Sequence, residues 1–215
     1  MHSLTLEARL RPAAEEAAGA LVLFHGRGVD ENDLFGLLDV LDPDKLLAGA
    51  TPRGPLSLPP GGRHWYVVRR VGHPDPDTFR SCYEAAAEWL GELARETGVP
   101  PERTILGGFS QGAVMSWALG LGEGRPRPAG IVALSGFIPT VEGLTLDFDG
   151  LDGFPVAVGH GSNDPTIGVE WGRDARDRLA AAGASVLYRE RPMGHSVDPP
   201  FLRELADWVS EVIAR

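Results

Sequence analysis

The chain has 215 residues, 43% of them hydrophobic and 23% charged, with a formal net charge of −10. That length suits a single domain spanning 1–215 with a sizeable core. The acidity excludes nucleic acid and an anionic membrane surface as natural partners, since both call for concentrated positive charge. No window approaches the roughly 18 unbroken apolar residues of a membrane span. Residues 1–11 lack the apolar stretch of a signal peptide, so a cytoplasmic address is expected. The single cysteine, Cys82, excludes an internal disulfide and a multi-cysteine zinc site, and reads as a small buried hydrophobe. The single lysine, Lys45, lies in a polar Asp-Pro-Asp-Lys stretch, poorly placed for Schiff-base chemistry.

In chain order, Leu4, Leu6, Ala8 and Leu10 alternate with polar residues, as in a half-buried strand. Residues 20–24 are continuously apolar, the pattern of a strand covered on both faces. A helix is expected over 32–40 and a strand over 47–51. Residues 78–96 carry Phe79, Cys82, Ala86, Trp89, Leu90 and Leu93 at helical spacing, ended by Gly98 and the pair Pro100-Pro101. A strand over 104–109 leads into a helix over 111–121. Strands follow at 130–135 and 155–159, then a helix over 168–182, a strand over 184–190 and a closing helix over 199–214. In that last helix Phe201, Leu202, Leu205, Trp208, Val209 and Val212 form one stripe. Strands alternating with helices imply parallel strands joined by right-handed crossovers, a three-layer α/β/α sandwich. Residues 51–73 and 136–153 lack periodicity and read as long functional loops.

Gly108-Phe109-Ser110-Gln111-Gly112 fits Gly-x-Ser-x-Gly at the junction of a buried strand and a helix. A sharp turn there lifts the hydroxyl out of the sheet, and the glycines leave room for it. A serine hydroxyl needs an adjacent base. Of the six histidines, only His195 follows the last strand and precedes the final helix, the place of the base in the order serine, acid, histidine. Asp164 lies after the preceding strand and suits the acid. Asp149 and Asp152 precede that strand and fall at its wrong end. His160, in the same turn as Asp164, reads as a structural hydrogen-bonder. The oxyanion of a tetrahedral intermediate needs donors. The backbone amide of Gln111, after the nucleophile, is one, and that of Arg27, in the loop after the 20–24 strand, is the other. His25 reads as a brace of that loop. Trp65 is expected to line the substrate groove, while Trp117 and Trp208, on helical stripes, read as core.

With these residues in place, the chain resembles the carboxylesterase/phospholipase family of α/β-hydrolases, which includes acyl-protein thioesterases. The resemblance is carried by Leu23-Phe24-His25-Gly26-Arg27-Gly28, Trp65-Tyr66, Gly107-Gly108-Phe109-Ser110-Gln111-Gly112-Ala113, His160-Gly161-Ser162-Asn163-Asp164-Pro165 and Gly194-His195. It implies an α/β-hydrolase fold with a mostly parallel sheet and little or no lid. It also implies cofactor-free and metal-free hydrolysis of a small-molecule carboxylic ester, with thioesters and lysophospholipids within its range. Ser110, Asp164 and His195 would be the triad and the Arg27 and Gln111 amides the oxyanion hole. Many such proteins form homodimers. Two departures stand out. Family members often carry a hydrophobic residue where Arg27 stands, and often follow the tryptophan with an aromatic and an acidic residue, where this chain has Tyr66-Val67-Val68-Arg69-Arg70. Both make the neighbourhood more basic. Arg27, with Arg63, Arg69 or Arg70, would then pair with a negative group on the substrate; alternatively these side chains turn into solvent.

Overall fold

A computed structural model describes residues 5–215. In chain order the elements are β1 (Ala8–Arg11), β2 (Gly19–Phe24), α1 (Leu37–Leu41) and β3 (Leu47–Pro52), then the short strands β4 (Leu56–Leu58), β5 (Gly62–His64), β6 (Val68–Arg70) and β7 (His73–Pro74). There follow α2 (Pro76–Thr97), β8 (Thr104–Phe109), α3 (Gln111–Leu121), β9 (Gly130–Leu134), β10 (Pro155–Gly161), α4 (Val169–Ala181), β11 (Ser185–Arg191) and α5 (Pro199–Ile213). Seven strands make one sheet in the order β1-β3-β2-β8-β9-β10-β11. Only β1 runs antiparallel to its neighbour.

The period-2 alternation of the central strands explains the three layers. Val22, Phe24 and Leu106 face α2 and α3, while Leu21, Leu23 and Ile105 face α1 and α5. Ile131, Ala133, Val156 and Val158 continue the first face beneath α3 and α4. Strands buried on both sides need apolar residues at every position, which is why 20–24 reads as an unbroken run. The apolar stripe of α5 buries Phe201, Leu205 and Val209, each contributing roughly 1.5–3 kcal/mol by transfer from water. Asp75 and Asp198 cap α2 and α5 by accepting from the Thr78 and Phe201 amides at 3.0 and 3.1 Å. Trp117 is fully buried and Trp208 partly so. Cys82 is buried, and desolvation pushes its thiol up to about 12, so it carries no thiolate chemistry at neutral pH.

The structure departs from the periodicity in three places. The helix expected over 32–40 shrinks to Leu37–Leu41. Asp30 instead accepts from the Asn32 amide at 2.9 Å, and the chain turns through i→i+3 bonds such as Leu37 N–H to the Leu34 carbonyl. The first strand begins at Ala8, although Leu6 is buried; Leu4 lies outside the described residues. Residues 51–73 hold two small antiparallel ribbons, β4–β5 and β6–β7. The first meets the loop after β2 through the Val29–Arg63 bridge, and the turn of the second accepts from the Thr140 amide through the Gly72 carbonyl at 3.2 Å.

Candidate active site

The carboxyl ends of β2, β8, β9 and β10 meet at the serine between the two glycines. Ser110 links β8 to α3 with φ 55° and ψ −117°, a region that costs a residue with a Cβ of order 1–3 kcal/mol. The surroundings impose it. The Ser110 amide donates to the Leu134 carbonyl at 2.9 Å, tying the turn to β9. A Cβ on Gly112 would drive into the Phe24 carbonyl, and one on Gly108 into the Gly112 backbone, so β8 and α3 pack this closely only with glycine at both places. The first helical bond runs from the Val114 amide to the Ser110 carbonyl at 3.2 Å, which leaves the Gln111 amide without an intrahelical acceptor.

His195 reaches Ser110 from the loop between β11 and α5. Its Nε2 lies 2.9 Å from Ser110 Oγ, and its Nδ1 lies 2.7 Å from Asp164 Oδ2. The carboxylate can only accept, so Nδ1 carries the proton and Nε2 is the lone pair facing the hydroxyl. The loop is shaped to permit this. The Asn163 amide donates to the Met193 carbonyl at 3.1 Å, and a Cβ on Gly161 would strike the Met193 and Gly194 carbonyls. Phe109 packs its ring against the imidazole, centroids 4.7 Å apart.

Asp164 has a fully buried carboxylate. Burial alone would push it up. The His195 bond and the Ile167 and Thr166 amides, which donate to Oδ1 at 2.9 and 2.8 Å, outweigh that and hold it below the ordinary carboxylate range. It is therefore a charged orienting group at neutral pH. His160 sits beneath it, donating from Nε2 to the Ile167 carbonyl at 2.8 Å and closing the turn that presents Asp164, the structural part expected of it.

Opposite this line stands the loop after β2. A Cβ on Gly26 would lie 3.6 Å from Ser110 Cβ and 3.3 Å from the Phe109 ring, so Arg27 begins one residue from the hydroxyl. His25 braces the loop as a neutral ring. Its Nε2 accepts from the Gly54 amide at 2.9 Å, so its Nδ1 donates to the Gly26 carbonyl at 2.7 Å. Desolvation by burial lowers its affinity for a second proton.

Trp65 does not line the groove. It is fully buried, edge-on to Phe24, and its indole N–H donates to the His25 carbonyl at 3.0 Å. A neighbouring carbonyl and an apolar slot behind the loop satisfy both ends of the amphipathic ring, so the core takes it. Among the flanking basic residues, Arg69 is engaged with Asp75 and so is not a free cation, while Arg27 and Arg70 are exposed.

Three features escaped the sequence reading. The Gln111 side chain is buried and fills both its capacities, accepting from the Trp65 amide and donating to the Tyr66 carbonyl, each at 3.0 Å. Phe109 touches both Gly26 and the His195 ring. Ser135, at the end of β9, has φ 50° and a buried hydroxyl without a partner among the described residues. Its signal is the Leu134-Ser135-Gly136 end of an apolar run, which resembles the Ser110 turn in its positive φ and in that a strand stops at the same edge. Among the described residues no three His, Cys, Asp or Glu side chains gather as metal ligands would, and no helix is long and apolar enough to cross a membrane.

A strained serine on the carboxyl edge of a mostly parallel, helix-covered sheet, aligned with an imidazole and a carboxylate, defines an α/β hydrolase of the serine-hydrolase type that cleaves esters. The family model described as Phospholipase/Carboxylesterase matches residues 7–213. The chain belongs to that family. An acyl-protein thioesterase 1 from Neurospora crassa is 33% identical over 225 residues, covering 94% of this chain and 90% of its own. One from Candida albicans is 28% identical over 226 residues, covering 95% and 96%. The Bacillus cereus carboxylesterase, 22% identical, superposes with a TM-score of 0.83 over 96% of this chain and 94% of its own, a likeness of fold.

Proposed function

We propose that this chain hydrolyses carboxylic esters through an acyl-enzyme on Ser110. The observation that carries the reading is the unbroken line from Ser110 Oγ to His195 Nε2 at 2.9 Å and from His195 Nδ1 to Asp164 at 2.7 Å. As Oγ attacks the carbonyl carbon, its proton passes to Nε2, and Asp164 steadies the imidazolium without taking the proton. The oxyanion forms between the Gln111 and Arg27 amides, which need not reorganise as charge develops. The C–O bond to the alcohol breaks and the alcohol leaves with the proton from Nε2. Water then gives its proton to His195 and attacks the acyl carbon, and the acid departs as Ser110 Oγ recovers the proton. A thioester would pass through the same steps with a thiol leaving, which fits the name carried by the fungal relatives. A lysophospholipid presents the same ester carbonyl. A homodimer and a cytoplasmic address belong to this reading through the resemblance and the sequence.

A fluorophosphonate should add its mass to Ser110 at neutral pH, and Asp164→Asn should lower kcat on a 4-nitrophenyl ester about ten-thousand-fold. An unmodified Ser110, or an Asp164→Asn protein as fast as the parent, would overturn the assignment.

A further inference from the structure

We propose that Arg27 selects acyl groups that end in a carboxylate, so that the preferred substrates are half-esters of short dicarboxylic acids. The inference rests on Ser110 being the nucleophile and concerns what its site admits.

The first support is position. Arg27 follows Gly26, where a Cβ would meet Ser110 and Phe109 in ordinary to tight contact. The loop that carries it is fixed. The Gly28 amide donates to the Arg63 carbonyl and the Arg63 amide to the Val29 carbonyl, both at 2.8 Å, while His25 and the Trp65 indole hold it from behind. A guanidinium launched from a rigid loop loses less freedom on binding than one launched from a mobile loop.

The second is the absence of a partner. Arg27 is exposed and has neither a hydrogen bond nor an ion pair among the described residues, although the chain has 30 acidic residues against 20 basic ones. Among the basic residues named with it, Arg70 is likewise exposed and without a partner among the described residues, whereas the others are occupied. Arg53 pairs with Glu7 and Glu31, Arg69 with Asp75, and Arg191 with Asp198. Arg63 donates to the Ser57 hydroxyl at 3.0 Å. Of the two acids nearest in sequence, Asp30 accepts from Asn32 and Glu31 is held by Arg53. With carboxylates in excess, the guanidinium one residue beyond Gly26 is left open to bind one from outside, and its planar pair of N–H groups matches a carboxylate in two bonds.

The third is direction. The leaving group must face His195 Nε2 to receive its proton. The loops that carry Arg27 and His195 follow β2 and β11, which lie on opposite sides of β8 in the sheet, and the Phe109 ring touches both Gly26 and the imidazole. A leaving group that faces His195 therefore leaves the Arg27 side of Ser110 to the acyl chain.

The test compares 4-nitrophenyl hemiglutarate with 4-nitrophenyl valerate, acyl chains of equal carbon number ending in a carboxylate or a methyl. The readout is the ratio of their kcat/KM values, which cancels any change that a substitution makes to the oxyanion hole. The parent should favour the hemiglutarate, and Arg27→Gln should lower the ratio about tenfold, mainly through KM, as expected for one charge-assisted pair. Arg27→Lys should fall between, and added salt should lower the ratio in the parent more than in Arg27→Gln. Equal ratios in the parent and Arg27→Gln would overturn the inference while ester hydrolysis stands. So would a charge preference confined to a butyrate ester of 4-hydroxybenzoate, which carries its carboxylate on the leaving group. Failure of the parent to cleave either nitrophenyl ester would instead overturn the reading of the site itself.

Discussion

The φ of 55° and ψ of −117° at Ser110 put a side chain where glycine is at ease. The strain, of order 1–3 kcal/mol, is held by the packing of Gly108 and Gly112 and by the Ser110 amide bond to β9. Substitution should therefore separate function from stability. Ser110→Gly relieves the strain but gains about 0.5–1 kcal/mol of unfolded-chain entropy to lose, so it should be about 1 kcal/mol more stable than Ser110→Ala, with both unable to take up a fluorophosphonate. Paired urea melts check this, and a Ser110→Gly protein no more stable than Ser110→Ala would show that the turn stores no strain. At this scale the chain was largely legible. Ser110, His195 and Asp164 could be chosen because strand ends are visible in sequence and the order of the three roles is set by topology. Trp65 could not. A tryptophan in a Gly-rich loop faces either way, and only the His25 carbonyl behind it, 40 residues off in sequence, determines that it turns inward.

Elements are joined here by side chains whose sequence shows no periodic signal. Gln111 begins α3, yet its amide group bridges to the segment between β5 and β6, bonding the Trp65 N–H and the Tyr66 carbonyl. Gln111→Ala leaves both groups buried and unpaired, each at about 1–3 kcal/mol, so a loss of about 2–6 kcal/mol is expected in a urea melt. The backbone amide proposed for the oxyanion hole is retained. A loss below about 0.5 kcal/mol would mean that solvent reaches those groups. Long apolar or amphipathic stretches, 20–24, 78–96 and 199–214, matched their elements closely because burial on one or two faces leaves a period in the sequence. The stretch at 32–40 did not, since Asp30 and Asn32 satisfy the backbone locally and delay the helix to Leu37. The ribbons in 51–73 are too short to show a period.

Over the whole molecule, one buried histidine ties pH to stability. His25 is neutral in the folded chain because burial lowers its affinity for a proton below the ordinary value of 6.5, and its Nε2 must accept from Gly54. The unfolded chain takes up that proton near 6.5 and the folded chain only at lower pH. The stabilisation is therefore fully present above 6.5 and is lost as pH falls through the folded value. Asp164 acts in the same sense, but below its ordinary 3.8, so the two windows are distinct. Urea melts between pH 7.5 and about 5 should show stability falling in the parent, with a shallower slope in His25→Gln. Equal slopes would remove His25 from the account. The sequence by itself determined the layer order, the hydrolase class and the three groups in line, because those follow from periodicity, from glycines at a crowded turn and from the order of loops along a parallel sheet. Tertiary structure alone decided that Trp65 belongs to the core, that Gln111 pins the neighbouring loop, and that Arg27, next to the glycine packed against Ser110, has no partner among the described residues. Each of these depends on which loops meet above the sheet, and contacts between distant short segments leave no period to read.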